Sequence, residues 1–496
     1  MNQPRQLSAH WIGRATRLSL AVAFLAPALY AQQQPAKTPS SKPPAIKVDQ
    51  GAWSGDFDEM IKRRYLRVAV PVNKTLYYVV NGVQHGACYE IMKEFETFIN
   101  RKFPYQNKSL RFHVVFRPAN RAEILSLVVR GNADLAMGTI SVTAERQKQV
   151  DFTDPTATNT TKVAVTGPKS PALHTLDDLA GQEVFVRKTS SAWRDLEELN
   201  AKLKKEGKAE VRLTPAPEDL EDDDLLEMLN AGLVSIVVTD AYLPKAWSKV
   251  YTAIQSHPDM PVHEGGEFGW AMRKNSPKLM AVANEFIKTH KQGTAYGNAL
   301  IARYVSPTRM LKNVAAPEQL KKFQATVGFF KKYGDQYNMD YLLMMAQGFQ
   351  ESTLNQAAQS PVGAIGVMQL MPATGEQMKA GDIHQEESNI HAGVKYIRFM
   401  VDKYFANEPM TDTDKVLFAF AAYNCGPGKV HSLRVEAGKR GLDPNKWLYN
   451  VDVVAADKIG METVTYVANI YKYYVAYKLV AEQEAEKAKA MGKPKS

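Results

Sequence analysis

Glu351 and Ser352 stand together at the end of an apolar, helix-patterned stretch, a setting in which a lone carboxyl can give up a proton and take it back. Leu343, Gln347 and Glu351 share one stripe at i, i+4, i+8 spacing, with Met344 and Gly348 beside it. That pattern predicts a helix from Asp340 to Glu351 and places Glu351, half buried, at its C-terminal end. Burial and the negative end of the helix dipole both disfavour a carboxylate and raise its pKa. A free Glu, with a pKa of about 4.3, is mostly ionised at neutral pH and has no proton to offer. A raised one keeps a protonated fraction and can act first as general acid, then as base.

Further motifs follow in order. Ser360-Pro361-Val362-Gly363 leads to Gly366-Val367-Met368-Gln369, then come Ala422-Tyr423-Asn424-Cys425-Gly426 and Glu462-Thr463-Val464-Thr465-Tyr466-Val467. With Glu351-Ser352 these resemble the lysozyme-like catalytic domain of soluble-type lytic murein transglycosylases, over roughly Ala316–Lys478. Each motif is weak alone; their order and spacing make the signal.

The resemblance implies a mainly α, lysozyme-like domain that works on peptidoglycan glycan strands with one essential Glu and needs no water, metal or other cofactor. Glu351 would protonate the leaving oxygen of the β-1,4 bond between MurNAc and GlcNAc. It would then deprotonate the muramic acid 6-hydroxyl, which attacks its own anomeric carbon to give a 1,6-anhydro end; proximity replaces a second substrate. By the same resemblance Ser352 orients the sugar or the Glu. Met368 and Gln369 line the glycan groove, with Gly366 allowing close backbone approach. Tyr423 hydrogen-bonds near Glu351, Asn424 contacts substrate or braces its loop, and Glu462 and Tyr466 complete the wall. Core packing is the competing reading for Met368 and Tyr423. A hydrolytic muramidase is the alternative enzyme, and it would pair two carboxyls about 5 to 9.5 Å apart. Asp340 lies about 16 Å from Glu351 along one helix at ~1.5 Å per residue and cannot be that partner. Glu376, Asp382, Glu386 and Glu387, in loop-like sequence, stay open.

Other elements must hold these residues. Leu320, Phe323, Val327 and Phe330 predict a helix from Glu318, with Lys321, Lys322, Lys331 and Lys332 outside. Asn389-Ile-His-x-Gly393-Val-x-Tyr396 also fits the family, with His391 read as structural. Thr463–Leu479 reads as an aromatic-rich packing helix, and 481–496 as a charged, fraying tail.

Ahead of this region the pattern alternates. Tyr65–Val70, Leu110–Phe116 and Asp134–Gly138 read as strands, Tyr89–Asn100 and Arg121–Val129 as helices, which argues for a parallel α/β sheet. Leu66-Arg67-Val68, Gly86-x-x-Tyr89-Glu90, Gly131-x-x-Asp134 and Thr143-x-x-Arg146 resemble extracellular solute-binding proteins of the polar amino-acid type. So do Val150-Asp151-Phe152-Thr153, Gly232-x-Val234 leading to Asp240, and Phe268–Lys274. The resemblance implies two lobes closing on a ligand, an amino acid or a muropeptide-like peptide. Arg146 would hold its carboxylate as a bidentate pair, Asp240 its ammonium, and Thr189 and Ser190, opening a helix, would add donors. A surface ion pair for Arg146 and a helix N-cap for Asp240 are the competing readings. This region holds no catalytic constellation, and a solute receptor with an inactive enzyme domain is the alternative from another class.

The chain has 496 residues and a net charge of +10, part of it on Arg5, Arg14 and Arg17. A basic surface suits cell wall or an anionic membrane surface; no zinc-finger or RNA-binding signature points to nucleic acid. Basic residues followed by a short apolar run, Leu18–Ala28, read as a signal peptide ending at Ala28 or Ala31, hence export to the periplasm, with peripheral attachment to the outer membrane open. The expected order is signal peptide 1–31, a Gln/Pro/Ser/Lys-rich tether 32–55, a solute-binding-like α/β domain 56–305, a connector 306–317, a catalytic domain 318–480 and a tail 481–496. Cys88 and Cys425, far apart, read as small buried hydrophobes rather than a disulfide.

Overall fold

The computed structural model describes residues 48–49, 51–73, 75–80, 83–300 and 317–490. The expected signal peptide, most of the tether and most of the connector lie outside the described residues.

The β-branched runs of the first part form β1 (Tyr65–Pro71), β2 (Tyr78–Val80), β3 (Val83–His85), β4 (His113–Ala119), β5 (Leu135–Ser141), β6 (Val150–Phe152), β7 (Ala157–Thr166), β8 (Glu183–Arg187), β9 (Arg212–Ala216), β10 (Ile236–Asp240) and β11 (Gln255–Arg273). The main sheet runs β4-β1-β5-β11-β7-β10-β8-β9, with β6 on β11. β1 is parallel to both β4 and β5, and β8 is parallel to both β9 and β10. Between these two parallel halves run β7 and β11, antiparallel to each other, which join one lobe to the next. β1 is buried along its whole length, as a strand covered on both faces must be. Helices Ala87–Lys102 and Pro277–His290 cover one face, their Phe95 and Phe286 packing on Trp270 of β11, and Ile124–Val129 covers the other. β11 starts earlier than the apolar run Phe268–Lys274 indicates. Its first part holds Pro258, Pro261, Gly265 and Gly266, and its register against β7 shifts repeatedly between Ser256 and Phe268, since a proline has no N–H for the ladder.

The tether does not stay free up to residue 55. Arg67 donates to the carbonyls of Asp49 and Gly51, Trp53 N–H bonds to Gly131 O at 2.9 Å, and the Arg63 guanidinium lies 3.4 Å over the Trp53 ring. One aromatic and two arginines thus order a segment whose composition alone reads as disordered.

The second part is helical: Pro317–Tyr337, Tyr341–Ser352, Pro372–Met378, Glu386–Tyr404, Asp412–Cys425, Pro427–Lys439, Asp452–Ile459 and Met461–Ala490. The last of these continues through Ala490, beyond the end expected at Leu479. Asp340 caps helix Tyr341–Ser352, accepting from Leu342 and Leu343 N–H. Phe349 meets Tyr473 edge to face at 4.8 Å, seating this helix on Met461–Ala490.

The second lobe packs directly on the helices. Leu225, Leu226, Met228 and Leu229 of helix Asp222–Asn230 share one apolar core with Phe349, Tyr473 and Tyr477. At the junction the Lys472 ammonium, 5% exposed, lies 2.6 Å from Asp224 and 2.9 Å from Glu227. Tyr449 donates to Asp219 O at 2.8 Å beside it. Removing one member of a buried ion group strands the others, so Lys472→Ala should lower unfolding stability by about 3–5 kcal/mol. Replacing Lys472, Asp224 and Glu227 together by apolar residues should restore most of it; urea unfolding of the variants measures both.

Candidate active site and ligand cleft

Residues Leu342–Phe349 are buried throughout, so the helix reaches Glu351 through the middle of the core. Glu351 itself is half buried. Its Oε1 accepts from the Tyr466 hydroxyl at 2.5 Å; its Oε2 has no hydrogen-bond partner among the described residues and is not sealed off from solvent. Burial pushes the pKa of Glu351 up to about 7, and the Tyr466 hydrogen bond only partly offsets it. Among the described residues no other carboxylate contributes to that shift. Of the acids left open by the sequence, Glu386 is half buried, with its pKa raised by burial, and the other three are engaged or exposed. Asp382 pairs with His384 at 2.8 Å, Glu387 with Lys332 at 2.7 Å and Tyr333 at 2.9 Å, and Glu376 is exposed. Asp340 is held at the far end of the helix, where Tyr474 donates to it at 2.6 Å.

Several assigned residues have different work. The hydrogen bond to Glu351 comes from Tyr466, not Tyr423, whose hydroxyl donates to Met368 O at 2.6 Å. Ser352 Oγ bonds the carbonyls of Val367 (2.9 Å) and Gly348 (3.3 Å) and accepts from Asn355 N–H (2.9 Å), tying the helix end to the next loop rather than bonding the Glu351 carboxyl. Met368 is fully buried and fills space left by the absence of side chains at Gly348 and Gly393, so packing is its role rather than lining a groove. Gln369 turns back to the carbonyls of Gly366 (2.9 Å) and Ala358 (3.1 Å). Gly366 has φ +79°, and a Cβ there would sit 2.4 Å from Asn389 Nδ2, so the glycine allows the close approach of Asn389. Asn424 and Glu462 are exposed, and Thr463 donates to Asn424 Oδ1 at 2.6 Å, which leaves the amide N–H groups to face outward.

Three amides, Asn389 and Gln347 buried and Gln356 half-buried, escaped the sequence reading as functional supports. Asn389 accepts from Met368 N–H at 2.8 Å and donates to the carbonyls of Ile365 (2.9 Å) and Ile383 (3.0 Å). Gln356 accepts from Val367 N–H and donates to Ile383 O. Gln347 touches Tyr466. A lone Asn or Gln on an apolar stripe is the signal that could have found Asn389 and Gln347. His391 is structural, stacked on Tyr333 at 4.1 Å and bonded to Tyr337 at 2.7 Å.

The cleft between the lobes gathers three of the four residues assigned to a ligand. Arg146, Ser190 and Asp240 line a cavity of about 40 Å³ together with Arg121, Lys162 and Arg187. Arg146 donates to Ser141 O at 3.0 Å and has no carboxylate in ion-pair contact among the described residues. Burial, with Arg121, Arg194 and Arg187 nearby, brings its pKa down to about 10. Asp240 Oδ1 is buried without a hydrogen-bond partner; burial raises Asp240 to about 7 against the pull of Lys162. The adjacent helix, Tyr242–Trp247, is capped at Ala241, so Asp240 is not its N-cap. Thr189 is turned away, held by Glu218, while Ser190 caps helix Ser191–Lys205. The lobes touch directly across the cleft, through Arg121–Glu221 at 3.1 Å and Thr75–Asp223 at 2.8 Å. No cluster of three or more His, Cys, Asp or Glu suited to a metal ion occurs among the described residues.

The family model for the transglycosylase SLT domain matches residues 328–445, and that for bacterial extracellular solute-binding proteins, family 3, matches residues 77–306. Proteins named membrane-bound lytic murein transglycosylase F align over most of the chain. The one from Pseudomonas fluorescens (strain Pf0-1) is 25% identical over 85% of this chain and 86% of its own length. The one from Desulfosudis oleivorans is 26% identical over 85% and 93%, and that from Idiomarina loihiensis 24% over 90% and 94%. Among solved structures, an ancestral arginine-binding protein bound to arginine is 20% identical, covering 49% of this chain and 99% of its own, with a TM-score of 0.39. With a match to solute-binding proteins of family 3 followed by a match to the SLT domain, the chain is similar over most of its length to proteins named membrane-bound lytic murein transglycosylase F.

Proposed function

We propose that this protein is a peptidoglycan lytic transglycosylase in which Glu351 is the single acid and base. The observation that carries the reading is one carboxyl, raised to about 7 by burial, bonded on Oε1 to Tyr466 and open on Oε2. Near neutrality both its protonation states are populated, as one group that must give and then recover a proton requires. Protonated Glu351 gives its proton to the glycosidic oxygen as the bond to the MurNAc anomeric carbon breaks. The resulting carboxylate removes the proton of the MurNAc 6-hydroxyl as that oxygen bonds to the same carbon. The 1,6-anhydro sugar leaves, Glu351 is protonated again, and no water is consumed. The exposure of Asn424, whose Oδ1 accepts from Thr463, and of Glu462 supports a part for both in meeting the glycan.

Sacculi incubated with the wild type should release anhydro-muropeptides, and Glu351→Gln should release none, by mass analysis; reducing ends instead would make the reaction hydrolysis. Because the initiating form is protonated, the rate should fall as pH rises through about 7, which a pH–rate profile measures. A profile whose only carboxyl ionisation matches that of a free Glu would sink the assignment.

For the first domain, the unpaired cation of Arg146 and the unpaired carboxyl of Asp240 in one cleft support a zwitterionic ligand, an amino acid or a muropeptide-like peptide. The lobes touch across this cleft through Arg121–Glu221 and Thr75–Asp223, which supports a parting of the lobes to admit the ligand. The second lobe's buried contact with Lys472 supports a regulatory role for that movement. The residues ahead of Asp49 are read as an export signal and tether, which sets the enzyme in the periplasm beside its substrate, with peripheral attachment to the outer membrane. No helix among the described residues is long and apolar enough to cross a membrane. An ammonium placed on Asp240 would ionise it and release a proton at neutral pH. Calorimetric titration with free amino acids and stem peptides at pH 7 should give heats that depend on the buffer's ionisation enthalpy. Asp240→Asn should remove that dependence, and Arg146→Met should remove binding.

A further inference from the structure

Gln347 precedes Glu351 by one helical turn and has no exposed surface. Its Nε2 donates to the Tyr466 hydroxyl oxygen at 3.3 Å, while its Oε1 is buried with no partner. A buried amide oxygen left unpaired is unfavourable, so space-filling alone would be served better by Leu or Met. What the amide supplies, and an aliphatic residue cannot, is an N–H aimed at the phenol oxygen. A phenol has one proton to give. With its oxygen accepting from Gln347, that proton points to Glu351 Oε1 at 2.5 Å.

We propose that Gln347 is a positioning residue for the acid–base step: by donating to Tyr466 it commits the Tyr466 proton to Oε1 of Glu351 and leaves Oε2 as the oxygen that carries and delivers the catalytic proton. This rests on the reading of Glu351 as the acid and base. In the first step the proton on Oε2 passes to the glycosidic oxygen as the C1–O bond breaks. In the second, Oε2 takes the 6-hydroxyl proton as O6 bonds to C1. Tyr466 stays on Oε1 throughout and no proton passes through it. Without the Gln347 N–H, the phenol can turn and accept from a proton on Oε1, which parks the acid proton on the oxygen facing away from substrate. Oε2 suits delivery because it is the oxygen without a protein partner.

The test is a cycle on the full-length protein with sacculi as substrate: wild type, Gln347→Met, Tyr466→Phe and the double variant, with Glu351→Gln alongside. Gln347→Met should lower kcat about tenfold with little change in KM, the effect of one lost charge-assisting hydrogen bond. The alkaline limb of its pH–rate profile should move to higher pH, because the carboxylate loses part of its stabilisation. The double variant should be no worse than Tyr466→Phe alone, since Gln347 acts only through Tyr466. Losses that multiply, an unmoved pH profile, or a change confined to KM would overturn the proposal. Gln347→Leu replaces Gln347→Met if the latter does not fold by thermal melting. Failure of both to fold would also overturn it, by making the amide a requirement of the fold. If Glu351→Gln stays active, the acid–base assignment itself is wrong. If Glu351→Gln is dead while Gln347→Met keeps the wild-type profile, only the role of Gln347 falls.

Discussion

The hydroxyl of Tyr466 reaches Oε1 of Glu351 because two helices from distant parts of the chain are locked together by Phe349 and Tyr473. That contact sets two opposing effects on one carboxyl. Burial by the apolar helix Tyr341–Ser352 disfavours its charge, and a single fixed donor restores some tolerance of it. Were burial to act alone, the group would hold its proton too tightly to recover its acid form by turns with its base form near neutrality. Were it exposed, it would have no proton to give. The midpoint near 7 is the balance of the two.

The same long helix reaches further than Glu351. Thr463, one turn before Tyr466, fixes the amide of Asn424. Lys472 lies six residues after Tyr466, about 9 Å along the axis at ~1.5 Å per residue. It is gripped by Asp224 and Glu227 of the second lobe. The helix carrying those two acids begins at Asp222, which pairs with Arg187 at 2.6 Å, and is preceded by Glu221, which pairs with Arg121 of the first lobe. Charges on the cleft side and charges on the enzyme side thus ride on one short helix. A rigid element with both ends fixed in this way gives lobe movement a physical route to the position of Tyr466, without requiring any change in the catalytic residues themselves.

Glu351 was legible in the sequence because its pattern carries its physics: an acid at the end of an apolar stripe is buried wherever that helix packs. The two-lobed sheet was legible for a similar reason, since strand and helix periods alternate plainly from Tyr65 to Gly138. The partner of Glu351 was not. Tyr423 and Tyr466 are both tyrosines in family motifs, and which one meets the carboxyl depends on how two helices are rotated against each other, which spacing does not encode. Ser352, Met368 and Gln369 sit beside chemistry in sequence but face backbone or core, because the loop from Thr353 to Met371 must satisfy its own polar groups once it is buried. Asn389 does much of that from a distant helix, so its role appears only when Met368 N–H, Ile365 O and Ile383 O come together around it.

One carboxyl acting as both acid and base, as proposed, has a consequence for the direction of the reaction. After the leaving group departs, a water attacking from the opposite face would need a base there, and Asp382, Glu387 and Asp340 are held by His384, Lys332 and Tyr474. The 6-hydroxyl of the same sugar needs no such base, because it lies on the side from which Glu351 has just given its proton. It is also tethered to the carbon it attacks, and an intramolecular nucleophile gains an effective concentration that free water does not have. On the proposed role of Glu351, intramolecular closure therefore follows from the tethering of the 6-hydroxyl as much as from where the carboxyl stands.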